Sequence, residues 1–193
     1  MAAIVGDHNV PWIKEKADTT MKQILGNYGG KGIFGHLRKS PARGWFRGRI
    51  GSFADQVYPI YALTLYHKVF GSGQALDVAI KCADTICQHQ GVLGQWWWHY
   101  NSATGQVVGT YPVYSVHQEG MAPMALYLVG ETAGKDYSAP IIKGLEWIRG
   151  KNELGVNMID RERNVIWRCL YRPKWKSYSE ELLRFLRYPM EKM

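Results

Sequence analysis

Two stretches of the sequence decide its fold: Gly51–Trp98, GSFADQVYPIYALTLYHKVFGSGQALDVAIKCADTICQHQGVLGQWWW, and Tyr114–Asp160, YSVHQEGMAPMALYLVGETAGKDYSAPIIKGLEWIRGKNELGVNMID. They align as two copies of one unit, at offsets of 63, 63 and 61 residues. Self-similarity at such a period is typical of arrays built from one supersecondary unit. The matching pairs are Ser52 and Ser115, Ala62-Leu63 and Ala125-Leu126, and Leu93-Gly94 and Leu154-Gly155.

Apolar periodicity predicts two helices in each copy. Glycines at 71 and 73 separate the helices of the first copy, and glycines at 130 and 134 separate those of the second. We expect helices at 52–70 paired with 74–90, and at 116–132 paired with 138–149. Residues 11–25 have the pattern of a second helix whose partner is missing. The expected fold class is therefore all-α, with long Gly-rich and aromatic loops at 26–51 and 94–114.

The end of the first copy carries a motif known from one family. Gln90, Gly94 and Trp96 have the spacing Q-x-x-x-G-x-W, which resembles the QW motif of squalene–hopene-type terpenoid cyclases. Hairpins of this size also resemble the α/α toroids of six-hairpin glycosidases, unsaturated glucuronyl hydrolases and sugar epimerases. The resemblance covers residues 11–160, but the second copy lacks the motif, and the acidic cyclase motifs D-x-D-D and D-D-x-x-D are absent from the sequence.

The resemblance implies a fold and a domain organisation. It implies that residues 1–193 form a single α/α-toroid-like domain whose helical-hairpin repeats make a partial toroid. Residues 161–193 would be a basic C-terminal extension. Because such toroids use more hairpins than this chain supplies, completion would require a longer natural protein or self-association.

Composition and charge limit the classes of function. The chain has 24 Lys and Arg against 16 Asp and Glu, a net charge of +8. No apolar run approaches the roughly 18 residues of a membrane span, and the N-terminus lacks the pattern of a signal peptide. We therefore expect a cytoplasmic protein. Three cysteines without zinc-ligand spacing predict reduced thiols, and the sequence predicts no metal and no cofactor.

The expected partners follow from the charge distribution. The basic segment 161–193 fits an acidic membrane surface or an acidic partner, or else a solvated terminal helix that begins at Ser179. No nucleic-acid-binding module is recognisable, and Lys and Arg are not interleaved with the Trp cluster. A small molecule or a glycan is the expected ligand.

Candidate catalytic residues lie at the predicted starts of the first helices of the two hairpins. The toroid resemblance implies that these helix ends line the cavity, and the alignment makes neighbours of Asp55 and Glu119, at an offset of 64. With His117, the two carboxylates would suit acid–base chemistry on a glycosidic bond. The alternative for Asp55 and Gln118 is helix capping, because each follows a serine by three residues.

Aromatic residues supply a candidate binding surface. Their flat faces suit sugar rings, and they also suit carbocations through cation–π attraction. The alternative is that the three consecutive tryptophans only pack the core. The expected substrate-binding residues are Trp97, Trp98, His99, Tyr100, Tyr111, Tyr114 and Gln118.

Three functions remain open from the sequence. The first is an enzyme of the toroid class that acts on a glycan or sugar conjugate as a hydrolase, lyase or epimerase. The second is a terpenoid-cyclase-like or prenyl-binding toroid. The third is a non-catalytic ligand-binding or scaffold fragment. The polar, histidine-bearing helix start favours the first over the second.

Overall fold

A computed structural model of the chain describes residues 11–36 and 47–172. These residues contain five α-helices and seven short strands. None of these helices is both long and apolar enough to cross a membrane. The helices are α1 (Pro11–Gly26), α2 (Ala54–Phe70), α3 (Gly73–Gln88), α4 (Ala122–Ala133) and α5 (Ser138–Ile148). The strands are β1 (Ile50–Ser52), β2 (His99–Asn101), β3 (Gln106–Gly109), β4 (Val113–Tyr114), β5 (Ile159–Asp160), β6 (Val165–Ile166) and β7 (Cys169–Leu170).

The strands form three small antiparallel sheets. β1, β2 and β3 make one sheet in that order, β4 pairs with β7, and β5 pairs with β6. The backbone N–H and C=O groups of a long loop between helices need hydrogen-bonding partners. Pairing with a neighbouring loop supplies them. Two of the sheets therefore join the segments that precede and follow a helical hairpin, and β5 pairs with β6 within the segment after α5.

The prediction of an all-α chain is wrong, although the helices lie where periodicity placed them. Strands of two to four residues are too short to show an alternating pattern, so the sequence did not reveal them. The α/α toroid and its helical repeat are also wrong, because the described part of the chain holds only two hairpins and a single further helix beside three sheets. The predicted helix at Ser179 lies outside the described residues, as do positions 37–46 of the first long loop.

The core lies between α2, α3 and α4. Fully buried side chains from these helices meet there, together with Phe53, Trp96 and Tyr100 from the connecting segments. A smaller hydrophobic cluster, covered by the segment after α5, contains Val113, Trp147, Ile148 and Met158. The helix residues of the main core are Val57, Ile60, Leu63, Ala75, Ala79, Cys82, Ala83, Ile86, Ala122, Ala125, Leu126 and Val129.

Equivalent hydrogen bonds define an internal repeat of mixed helix and strand, with an offset of 62 residues. The Gly29 N–H donates to the Ile33 carbonyl at 2.9 Å, and the Gly91 N–H donates to the Gln95 carbonyl at 3.0 Å. Before each hairpin, Phe53 N–H donates to Trp98 O and Ser115 N–H donates to Arg168 O. The repeating unit is thus a hairpin together with a strand that precedes it, rather than a helical hairpin alone.

A π-helical turn at His117–Met121 shifts the register between the two copies. The left-handed glycines that end α2 and α4, Gly71 and Gly134, lie 63 residues apart. At the helix starts the offset is 62, because a π turn accommodates one extra residue. In this register the counterpart of Asp55 is His117, and Glu119 lies two positions further on.

Candidate active site

The Asp55 carboxylate closes the first turn of α2. Its Oδ2 accepts hydrogen bonds from the Ser52 N–H at 2.7 Å and the Ser52 hydroxyl at 2.8 Å, while the Asp55 N–H donates to the Ser52 Oγ at 3.3 Å. This reciprocal pair is the capping box that Ser52-x-x-Asp55 offered as an alternative to catalysis. Capping holds the carboxylate in place, and it leaves Oδ1 available to another partner.

That partner is His36. Its Nδ1 lies 3.1 Å from Asp55 Oδ1 and 3.3 Å from Oδ2, and the imidazole is largely exposed. A carboxylate on one ring nitrogen selects the tautomer that leaves the other nitrogen free to accept a proton. Within residues 11–36 and 47–172, Nε2 of His36 has no hydrogen-bond partner. The His36–Asp55 pair therefore has the arrangement of an oriented general base.

The loop that carries His36 is anchored to the same helix by Gln56. The buried Gln56 amide accepts from the Phe34 N–H at 2.8 Å and donates to the Phe34 carbonyl at 3.0 Å. Two residues later the chain reaches His36 and meets Asp55. Sequence reasoning missed His36 because it lies 19 residues before Asp55 in a glycine-rich loop, and no periodic pattern links the two.

The β1–β2 pairing attaches the Trp98 backbone to the start of α2. Ser52 lies opposite His99 in this pairing, and the Phe53 N–H donates to the Trp98 carbonyl at 3.0 Å. The half-buried Trp98 ring lies 5.0 Å from the His99 ring and 4.8 Å from the Tyr114 ring, centroid to centroid. Trp98 and Tyr114 thus form one aromatic surface, whose backbone is hydrogen-bonded to the residue after Ser52.

His117 fills the floor beneath this surface. Its ring stacks on Trp98 with an interplanar angle of 13°, and it also contacts Phe53 at 4.8 Å and Tyr114 at 5.1 Å. Burial lowers the pKa of His117 to about 4, so the imidazole is neutral at pH 7. Its Nδ1 is buried and has no hydrogen-bond partner in the part of the chain that the structure describes.

Tyr114 links the aromatic surface to β7. The guanidinium carbon of Arg168 lies 5.4 Å from the centre of the Tyr114 ring. Burial, followed by a hydrogen bond with Tyr171, raises the pKa of Tyr114 to about 12, so the phenol stays protonated at pH 7. A neutral phenol can serve as a hydrogen-bonding partner for a ligand.

A neighbouring contact surrounds Tyr111. Its ring meets Trp97 edge to face at 6.2 Å, and the guanidinium carbon of Arg172 lies 4.6 Å from the ring centre. The Tyr111 hydroxyl donates to Glu153 at 2.8 Å. Burial and the bond to Glu153 raise the pKa of Tyr111. This contact extends the aromatic surface away from His36.

Three predicted residues lie elsewhere. Tyr100 and Gln118 are completely buried, and with its amide oriented to suit both neighbours Gln118 donates to the Gly94 carbonyl at 2.8 Å and accepts from the Trp96 N–H at 3.0 Å. Glu119 is exposed on the π turn, where the described residues give its carboxylate no ion pair. Gln118 thus secures the loop of the Q-x-x-x-G-x-W motif, as its counterpart Gln56 secures the loop of Phe34.

The histidines, the aspartate and the aromatic residues described above at the hairpin starts form what we call the rim site. Across 11–36 and 47–172, no group of three or more His, Cys, Asp and Glu side chains is placed to hold a metal ion. The rim site therefore offers proton transfer by side chains together with an aromatic surface. It consists of His36, Asp55, Trp98, His99, Tyr114 and His117.

A relative of known function would supply an independent guide to this chemistry. No protein-family model, curated protein or solved structure matches the chain. The interpretation of the rim site therefore depends on its geometry.

Proposed function

We propose that the rim site binds a saccharide and carries out acid–base chemistry on it. The observation that carries this proposal is the contact between His36 Nδ1 and Asp55 at the helix start to which the Trp98 backbone is hydrogen-bonded. An aromatic face binds the apolar face of a sugar ring, and an oriented imidazole with one free nitrogen can remove a proton from the bound ring. The aromatic face alone would indicate only binding, and the imidazole alone would indicate only proton transfer.

The roles of the other rim residues follow from their environment. Tyr114, whose raised pKa makes its phenol a weak acid, is suited to contact the bound ring, and His36 is the group suited to accept a proton. His117 is neutral and supports the underside of Trp98. Asp55 acts through His36, because its oxygens are already occupied by Ser52 and by the imidazole. These assignments describe a lyase or an epimerase better than a two-carboxylate hydrolase.

Binding is tested by tryptophan fluorescence during titration with neutral and acidic oligosaccharides. We expect a change in emission that is lost in Trp98→Ala. The matched control is Trp12→Ala, since Trp12 on α1 is 64% exposed and does not belong to the rim site. If no oligosaccharide changes the emission, or if Trp98→Ala responds like the unaltered protein, the proposed site is wrong.

Chemistry is tested separately, by mass spectrometry and NMR of the saccharide after incubation. His36→Gln should bind with nearly the same affinity but lose turnover by roughly 100-fold or more, as is typical when a general base is removed. Asp55→Asn should lose less, because the imidazole remains present but is less well oriented. Saccharide binding without turnover by the unaltered protein would instead identify a non-catalytic binding module.

A cytoplasmic location remains part of this proposal. Its support is that Cys82, Cys87 and Cys169 are all free thiols. Burial raises the pKa of each of them, which keeps the thiols protonated and slow to react. Reduced cysteines are usual in that compartment.

A further inference from the structure

Two arginine side chains lie over aromatic rings, one over Tyr114 of the rim site and one over Tyr111. The guanidinium carbon of Arg168 is 5.4 Å from the Tyr114 ring centre, and that of Arg172 is 4.6 Å from the Tyr111 ring centre. A guanidinium that lies over a ring keeps N–H groups at its edge for an anion. Both arginines are exposed to solvent.

Neither arginine is neutralised by a carboxylate within the described ranges. Arg163, a third arginine of the segment after α5, forms an ion pair with Asp160 at 2.7 Å. Glu153 lies close to Tyr111, but its oxygens already accept hydrogen bonds from Gln95, Tyr111 and the Trp147 indole. Arg172 donates a hydrogen bond to Tyr111, and both arginines keep positive charge that no described carboxylate neutralises.

The backbone holds this charge next to the aromatic surface. The Arg168 carbonyl accepts from the Ser115 N–H at 2.9 Å and from the Ser115 hydroxyl at 3.1 Å. β7 begins at the next residue and pairs Cys169 with Tyr114. Since Tyr114 also contacts Trp98 at 4.8 Å, a ring bound on Trp98 would have Arg168 within reach of its substituents.

We propose that the saccharide is acidic and that Arg168 and Arg172 each bind a carboxylate of its uronic acid residues. This inference rests on the proposed saccharide site and names its substrate class. Arginine suits the role because its planar fork can donate two parallel hydrogen bonds to one carboxylate. Neutralising the carboxylate would also favour removal of the proton on the adjacent ring carbon, which is the proton that an imidazole base of a uronate lyase or epimerase removes.

The test compares uronate oligosaccharides, oligogalacturonate and oligomannuronate, with their methyl esters, which keep the rings and lose the charge. We expect at least one acid to bind at least tenfold more tightly than its ester at low ionic strength, and we expect the preference to shrink as salt is added. Arg168→Gln and Arg172→Gln should each reduce the preference several-fold, because they weaken binding of the acid more than binding of the ester. Arg163→Gln, whose arginine is already paired, should keep the full preference.

The outcomes separate the two proposals. Equal affinity for acid and ester, or a preference that survives in both arginine variants, would overturn acidic recognition while leaving the saccharide site in place. If neither acid nor ester binds, the saccharide site itself is wrong, and this inference falls with it. Far-UV circular dichroism of each variant checks that a lost preference does not come from a lost fold.

Discussion

At the scale of single residues, His117 is the most constrained titratable group of the rim site. Its ring is 4% exposed among three aromatic side chains, and its Nδ1 lacks a partner in the described part of the chain. It occupies the position that Asp55 occupies in the first copy. The same place in the repeat thus holds an oriented carboxylate in one copy and a neutral, buried imidazole in the other.

The depressed pKa of His117 predicts a pH dependence of stability. In the unfolded chain its pKa is near the ordinary value of 6.5, and in the folded protein it is about 4. The unfolded state therefore binds more protons between these values, so stability falls as the pH decreases from about 6.5 to about 4 and levels off below that range. The loss from this group is at most about 3 kcal/mol.

Urea denaturation at several pH values measures this effect in the unaltered protein and in His117→Phe. Phenylalanine fits an aromatic pocket and does not titrate, so the slope between pH 4 and pH 6.5 should become shallower. At pH 7 the variant should be at least as stable, because the unpartnered Nδ1 is removed. An unchanged slope would show that another group causes the dependence.

Some residues of the rim site have a signal in the sequence, and others do not. Asp55 and His117 are candidates from the sequence because they are polar residues at predicted helix starts, and Trp98 is one because it belongs to a run of three tryptophans. His36 has no such signal, since its role depends on a long-range contact with Asp55. Glu119 was aligned with Asp55 because the sequence does not reveal the residue that the π turn adds.

At the scale of elements, two buried glutamines fasten loops to helix starts. Gln56 binds both backbone groups of Phe34, and Gln118 binds the Gly94 carbonyl and the Trp96 N–H. These backbone groups are in the core, where an unmade hydrogen bond is costly. The glutamines therefore determine where the loops run, and the position of His36 depends on one of them.

Gln118→Met should destabilise the protein by about 2–4 kcal/mol, because two buried backbone groups lose their partner while the side-chain volume is kept. Chemical denaturation measures the change. Gln23→Met, at an exposed position on α1, is the control and should change stability by less than about 0.5 kcal/mol. A small effect of Gln118→Met would mean that water or another group satisfies the loop.

Helices were predictable and strands were not, for a physical reason. A helix of 11 to 17 residues shows several turns of apolar periodicity. The strands, which have two to four residues, depend on pairing with loops that are distant in sequence. The sequence predicts capping or substrate binding for Gln118 and no role for Gln56, because a buried side-chain amide that binds a distant loop has no sequence signature.

At the scale of the whole molecule, α1 and α3 each contribute an aspartate that accepts a hydrogen bond from a tyrosine of the next hairpin. The Tyr66 hydroxyl donates to Asp18, and the Tyr137 hydroxyl donates to Asp84 at 2.7 Å. The two acids belong to the repeated Ala-Asp-Thr sequences at 17–19 and 83–85. These bonds connect α1 with α2, and α3 with the loop before α5, so they join the successive units.

Tyr137→Phe should therefore cost about 1 kcal/mol of folding stability, a modest value because Asp84 is partly exposed. The matched control is Tyr127→Phe, because Tyr127 on α4 is 69% exposed. This substitution should leave the folding stability nearly unchanged. Thermal or urea unfolding distinguishes the two variants. Equal effects of both substitutions would indicate that the bond to Asp84 does not connect the units.

The central claim is that a saccharide binds where the starts of both hairpins meet, at the rim site. The most direct test is ¹H–¹⁵N NMR of the side-chain nitrogens of Trp, His and Arg during titration with oligogalacturonate and oligomannuronate. The account predicts shifts at the Trp98 indole, the His36 imidazole and the Arg168 guanidinium, with no change at Trp12. Saturable shifts confined to other side chains, or no shifts with either oligosaccharide, would contradict it.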